Sequence, residues 1–302
     1  MTVIFEQVFI LVAFAAAGFG LAKANIVKAE HSKMLTGLLV YVFSSCNTVK
    51  TFATNFTVNY LKENYLLLVA ALIVLGALLL VMHFAAKPFS KSKYERYVYE
   101  YSLIVPNYGY MGYALAESLL GASGLIGAMV FGIPMSIYIY LIAFCLLSKR
   151  PISPKGLLNA LTVSMFIGMI IGLFEIQLPS VVTSILDTSR ACMGPSGMLL
   201  AGIVISRFNF KEILSNVRIY IITILRLMIT PVVVGVCLGF FCPMYVVQSA
   251  VVVLAMPCGL NTVVFPDLVG EDCRIGAGLA LVSNLLSCIT IPIVFSIFGI
   301  GL

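Results

Sequence analysis

The sequence predicts an all-α polytopic membrane protein, ten transmembrane helices in a 5+5 inverted repeat, with one broken helix in each half. Three observations predict it. Hydrophobic residues make up 61% of the 302 and charged residues only 10%, with mean hydropathy +1.10, whereas an average soluble domain is roughly 25% charged. Apolar runs of membrane-crossing length recur along the chain. A proline-centred break then falls at matching positions of the two halves.

The spans come first. A helix needs about 20 apolar residues to cross the hydrocarbon core. Read that way, the first half (1–150) holds spans near 4–24, 34–56, 65–85, 98–118 and 123–147. The second half (151–302) holds spans near 156–174, 184–206, 216–237, 246–268 and 274–298. Those at 34–56 and 184–206 are the most polar, and no linker marks a separate soluble domain. The start, with Glu6 and no basic cluster, argues against a cleaved signal peptide. Eight cysteines stand singly, without zinc or disulfide spacing. Neither a metal nor a cofactor is expected.

Charge then orients the spans. Alternate connections carry Lys23, Lys28 and Lys33; Lys87, Lys91, Lys93 and Arg96; Lys149, Arg150 and Lys155; Arg207, Lys211 and Arg218; and Arg274. The opposite connections hold only Lys50, Lys62 and Arg190. Short loops rich in Lys and Arg stay cytoplasmic, so both termini are expected outside the cell membrane. The formal charge of +6 is a topological signal, and no nucleic-acid partner follows from it.

The halves repeat. Adding about 151 residues to the first five spans lands close to the second five, as the spacing of Pro106 and Pro257 requires. An odd number of spans per half inverts one half relative to the other, a recurring transporter design with the site at midplane. Around the first proline stand Asn107, Tyr108 and Gly109; around the second, Gly259, Asn261 and Thr262. Proline removes a backbone donor, and glycine tolerates unwound geometry. In lipid such backbone survives only where protein or a water-filled cavity covers it. A half-helix N-terminus presents free N–H groups and a partial positive charge. Neutral amides from Asn107 and Asn261 add donors, so a carboxylate is the expected ligand. Tyr108, Gly109 and Thr262 line the same place. A pair of ordinary proline kinks is the plain alternative, weakened by the shared offset and the paired asparagines.

At these residues the sequence resembles a known family. PNYGYMGYALAESLLGASGL (106–125) resembles the Asn-x-Gly-x-x-Gly segment of the auxin efflux carriers. MPCGLNTVVFPDLVGEDCRIGAGLALVSNLLSCITIPIVF (256–295) is similar to that family's closing segment, ending in Ser283, Asn284, Ser287, Thr290 and Pro292, and MGPSGMLLAGIVIS (193–206) resembles its seventh span. The resemblance implies a fold like those of bile-acid symporters and sodium/proton antiporters. It implies a dimerising scaffold of spans 1, 2, 6 and 7 and an elevator-like transport domain of spans 3–5 and 8–10. The family includes plant auxin exporters and bacterial permeases for malate, malonate and similar carboxylates. The long loop of the plant members is missing, with about ten residues (147–156) between halves, which favours the bacterial type. Ser44-Ser45-Cys46-Asn47 stands where many bacterial relatives have a Pro-containing turn, leaving Ser45 and Asn47 as candidate lining residues.

Ionisable groups inside spans are few. Arg226 falls near midplane, where a charge costs at least about 2.5 kcal/mol. It reads either as an attractor for the anion or as half of an ion pair with Glu100. Asp187 and Arg190 are expected near an outer helix end and Glu117 at the outer end of the fourth span. Asp267, Glu271 and Asp272 are placed in a cytoplasmic turn, and His31 and His83 receive no proton-relay role. Coupling to protons through Glu100, Glu117 or Asp187, to sodium through carbonyls with Ser283 and Asn284, or to substrate exchange alone all stay open. No HExxH or GxGD motif suggests an enzyme. A neutral or cationic solute is the rival cargo, although a cation calls for acids at the breaks. A non-transporting sensor has little loop surface to use.

Overall fold

The computed structural model describes residues 2–28, 32–208 and 215–301. His31 and Lys211 lie outside the described residues. Among those described the chain is all helical, and its sole β feature is an isolated antiparallel bridge between Pro106 and Cys258.

The helices run α1 (Thr2–Lys23), α2 (Ser32–Leu38), α3 (Ser45–Asn55), α4 (Val58–Glu63), α5 (Tyr65–Ala86), α6 (Lys93–Ile104), α7 (Tyr113–Tyr138), α8 (Phe144–Leu147), α9 (Pro154–Leu157) and α10 (Ala160–Leu173). They continue as α11 (Ser180–Ile205), α12 (Val217–Ile224), α13 (Thr230–Gly239), α14 (Met244–Leu254), α15 (Asn261–Val269) and α16 (Arg274–Ile297). Four π-helical turns interrupt them: Leu39–Ser44, Tyr108–Gly112, Ile139–Ala143 and Leu225–Ile229. Such turns concentrate at functional sites.

Four stretches are long and apolar enough to cross a membrane: Tyr65–Phe89, Tyr113–Leu147, Val217–Gly239 and Arg274–Ile297. Shorter apolar helices are Phe9–Lys23, Ala160–Leu173 and Met244–Leu254. Lys50, Asp187 and Arg190 lower the hydropathy of α3 and α11, and breaks shorten α6, α14 and α15. Large apolar side chains lie exposed along the outer faces, among them Leu72, Ile73, Leu80 and Phe84 on α5 and Ile289 and Ile293 on α16. An apolar exterior of this extent belongs against lipid, and the protein is a multi-pass membrane protein.

Caps set several helix starts. The Ser92 hydroxyl accepts from the Glu95 N–H at 3.0 Å, while the Glu95 carboxylate accepts from the Lys91 N–H at 2.7 Å, a reciprocal cap. Asn159 caps α10 and also donates to the Tyr140 carbonyl, fixing the entry of α10 to the π-helical turn that follows α7.

Small residues bring helices together. A Cβ on Gly202 would stand 2.0 Å from the Ala15 carbonyl oxygen, and one on Gly18 would stand 2.2 Å from that of Leu199. Thus α1 and α11 touch backbone to backbone, the contact that small residues permit in membranes. Helix α10 packs on α3 and α11 on α2 and α3. A second group is built from α5–α7 and α12–α16, with α14 packed on α7 and α16 on α12.

The fourth and fifth spans were expected to part between 118 and 123. Within α7 two helices meet there at a kink on Gly121, at φ 70° and ψ −165°. That region is essentially reserved for glycine, and other residues pay about 1–3 kcal/mol to enter it. Gly121→Val is therefore expected to lower thermal stability in detergent by about that amount. An unchanged melting temperature would show that the turn tolerates a side chain.

Candidate functional site

Each break is local chemistry. Helix α6 stops at Ile104 because Pro106 removes a donor and biases Val105 to extended geometry (φ −104°, ψ 111°). Helix α14 stops at Leu254, three residues before Pro257. The two unwound segments then satisfy one another. The Asn107 N–H donates to the Pro257 carbonyl at 2.7 Å, and the Gly259 N–H donates to the Val105 carbonyl at 3.2 Å. The segments cross antiparallel, so backbone groups that proline strands in one half find partners in the other. The Cys258 N–H donates to Ser283 Oγ at 3.0 Å, which pins the crossing to α16.

Against this crossing lies a cavity of about 60 Å³, room for about four or five water-sized groups. Pro106, Asn107, Tyr108, Gly109, Gly259 and Asn261 line one side; Ser44, Asn47 and Thr51 line the other. Asn107 is 2% exposed, and neither its Nδ2 nor its Oδ1 has a partner. Buried polar groups without partners are uncommon, and each calls for an explanation. Asn261 donates through Nδ2 to the Tyr101 hydroxyl at 2.8 Å, and the Tyr108 hydroxyl shares a 2.7 Å bond with Ser136. Among the described residues, no Asp, Glu, Lys or Arg lines the cavity.

A wider vestibule of about 420 Å³ shares Asn47, Gly109, Tyr113 and Met193 with the cavity. It also contains Glu117 and Arg190, whose guanidinium lies 5.8 Å from the centre of the Tyr113 ring.

Of the residues singled out in the sequence, Pro106, Asn107, Tyr108, Gly109, Gly259, Asn261 and Asn47 are brought together here. Pro257 contributes its carbonyl to the crossing, and Thr262 donates to the Gly259 carbonyl at 3.1 Å, bracing the break from behind. Ser45 donates to the Val40 carbonyl at 3.0 Å and lies outside the cavity lining, while its neighbour Ser44 is in it. Tyr101, Tyr113, Ser136, Tyr140 and Met193 escaped sequence reasoning. Only Tyr101 had a signal, one helical turn before the break.

The charged candidates need two corrections. Glu100 does not pair with Arg226; it is held by His83 at 2.9 Å and by Arg96, four residues back, at 3.2 Å. Arg226 is fully buried and its three guanidinium nitrogens have no hydrogen-bond partner. A second correction concerns Asp267, expected in a turn but buried within α15 and bonded to Ser32, Thr36 and Arg207. Asp187 is exposed and pairs with Lys50 at 3.2 Å. Glu117 is exposed in the vestibule. Ser283 supports the crossing, and Asn284 donates to the Ala280 carbonyl with its Oδ1 buried and unpartnered.

The family model described as membrane transport protein matches residues 3–155 and 152–295. The chain belongs to that family. It is the family of the auxin efflux carriers, whose motifs the two breaks resemble. Among curated proteins none matches the chain. Membership indicates a transporter in place of an enzyme.

Proposed function

We propose that the protein is a secondary active transporter of small organic anions, with the carboxylate held at the crossing of the two broken helices. The observation that carries this reading is Asn107: a buried amide with both ends unsatisfied among the described residues, in a cavity whose described lining holds no acid. Such an amide donates to a carboxylate without a fixed counter-charge beside it. The half-helices that begin at Tyr108 and Asn261 add their N-terminal partial charge. A cation would meet no carboxylate there.

Cavity size ranks the cargo. Space for about four or five water-sized groups suits malate- or malonate-sized acids, with the vestibule for overflow, better than an indole-bearing monocarboxylate. The helices are read as ten spans in a 5+5 inverted repeat. Helices α1–α3, α10 and α11 form the scaffold, through which two copies dimerise. Helices α5–α7 and α12–α16 form the domain that carries the crossing and moves as an elevator. Both termini lie outside the cell membrane. Proton or sodium coupling belongs to the same proposal, with Glu117, Glu100 and Asp187 as proton candidates and Ser283 with Asn284 as sodium candidates.

Equilibrium binding to detergent-purified protein tests the cargo class. Malate, malonate, lactate and indole-acetate are compared with the amides lactamide and malonamide. Carboxylates are expected to bind at least about tenfold tighter than the amides, the size of one charge-assisted hydrogen bond. Equal binding of acid and amide would reject the anion reading.

A further inference from the structure

Arg226 is the one buried charge among the described residues that has no ion-pair or hydrogen-bond partner. It sits in the π-helical turn Leu225–Ile229, wholly buried, with Nε, Nη1 and Nη2 unpartnered. Every described carboxylate is engaged elsewhere or exposed. Glu100 is held by His83 and Arg96, Asp267 by Arg207, Glu271 by Lys149, Asp272 by Arg274, Glu95 by Arg218 and Asp187 by Lys50. Glu6, Glu63, Glu117 and Glu175 are exposed. An uncompensated buried charge is strongly unfavourable, so its persistence calls for an anion that arrives later.

The position of Arg226 says where that anion sits. The π-helical turn that carries Arg226 packs against α6, which runs into the first break, and against α16. Ser283 on α16 accepts from the N–H of Cys258, the central residue of the second break. Thr223, one turn before Arg226, and Asn284, beside Ser283, each keep a buried oxygen unpartnered. Arg226 is absent from the cavity lining. The charge therefore stands behind the crossing, and the amides of Asn107 and Asn261 stand in front of it.

We propose that Arg226 is the fixed counter-charge for a singly charged carboxylate, so that the loaded carrier crosses the membrane neutral and the empty carrier crosses with a bare positive charge. This rests on the carboxylate reading above and goes further in two ways. It narrows the cargo, among acids of the size the cavity takes, to a monoanion, because one fixed charge balances one. It also makes the protein an exchanger: moving an unpaired charge within the membrane is costly, so the loaded domain returns faster than the empty one. Arg226 acts through the crossing and is a positioning residue.

The test uses purified full-length protein in liposomes with radiolabelled lactate, against malonate (similar size, two charges) and lactamide (similar size, none). For the unaltered protein, unlabelled lactate inside the vesicles is expected to accelerate lactate uptake at least about tenfold, and an imposed membrane potential to leave that exchange unchanged while altering net efflux. Arg226→Gln is expected to weaken lactate binding about ten- to thirtyfold, the size of a Coulombic attraction across about 8–12 Å at an effective dielectric near 20. It should leave lactamide binding unaffected and remove most of the acceleration. Arg226→Lys should restore both. The unaltered protein alone suffices if Arg226→Gln does not fold: net lactate flux as fast as exchange, or malonate exchanged faster than lactate, overturns the proposal. A folded Arg226→Gln that keeps full acceleration overturns it as well. If the unaltered protein moves no carboxylate at all, the carboxylate reading itself fails, an outcome separate from either of these.

Discussion

Asn107→Ala is expected to weaken carboxylate binding by about ten- to a hundredfold while leaving thermal stability unchanged or slightly raised. The amide makes no hydrogen bond within the described fold although it is 2% exposed. Its removal therefore costs the protein nothing, and it costs a bound anion a charge-assisted bond of about 1.5–3 kcal/mol. Asn261→Ala should behave differently. Its Nδ2 already serves the Tyr101 hydroxyl at 2.8 Å, so stability falls by about 1 kcal/mol alongside a smaller loss of binding. Asn107→Asp should bind the anion worst of the three, since a like charge repels it. Titration calorimetry and thermal unfolding on the same preparations separate these outcomes. Undiminished affinity in Asn107→Ala would remove Asn107 from the site.

The second large effect belongs to Asp267. Its carboxylate accepts from Ser32 Oγ at 2.8 Å and Thr36 Oγ1 at 2.7 Å, both on α2, and from Arg207 Nη1 at 3.0 Å. It thereby ties the end of α15 to α2 and to the residues after α11. The same nine-residue helix begins with Asn261 at the cavity and holds Asp267 near its other end. Asp267→Ala removes the carboxylate that Arg207, Ser32 and Thr36 share. A loss of about 3 kcal/mol is expected, at the low end for a broken buried pair, because the Arg207 side chain is 28% exposed. Asp267→Asn keeps an oxygen in place and should lose less, about 1–2 kcal/mol. Chemical denaturation in mild detergent reads both values. Equal, small losses would show that the cluster holds nothing together.

Sequence alone reached the breaks because their cause is local. Pro106, Pro257, Gly109 and Gly259 impose backbone constraints whatever surrounds them, and the two asparagines follow the same punctuation. The partners of charged groups were less legible. Arg96 and Glu100 stand four apart on α6, a spacing that brings side chains together on any helix, and that local pair outcompeted the distant one imagined with Arg226. Asp267 escaped because hydroxyls 231 and 235 residues away hold it, and Ser and Thr in an apolar run give no sign of which acid they will meet. The cavity walls supplied by Ser136, Tyr140 and Met193 depend on how α7, the π-helical turn Ile139–Ala143 and α11 pack. Pairwise packing of that kind has no one-dimensional signature.

The most direct test of the central claim is uptake by purified protein in sealed liposomes, with radiolabelled malate, malonate, lactate and indole-acetate offered beside a neutral and a cationic solute. Imposed sodium and proton gradients are varied in turn. The proposed function predicts saturable uptake of at least one small carboxylate that Asn107→Ala abolishes. Uptake of the neutral or cationic solute, with no carboxylate moving under any gradient, would contradict it.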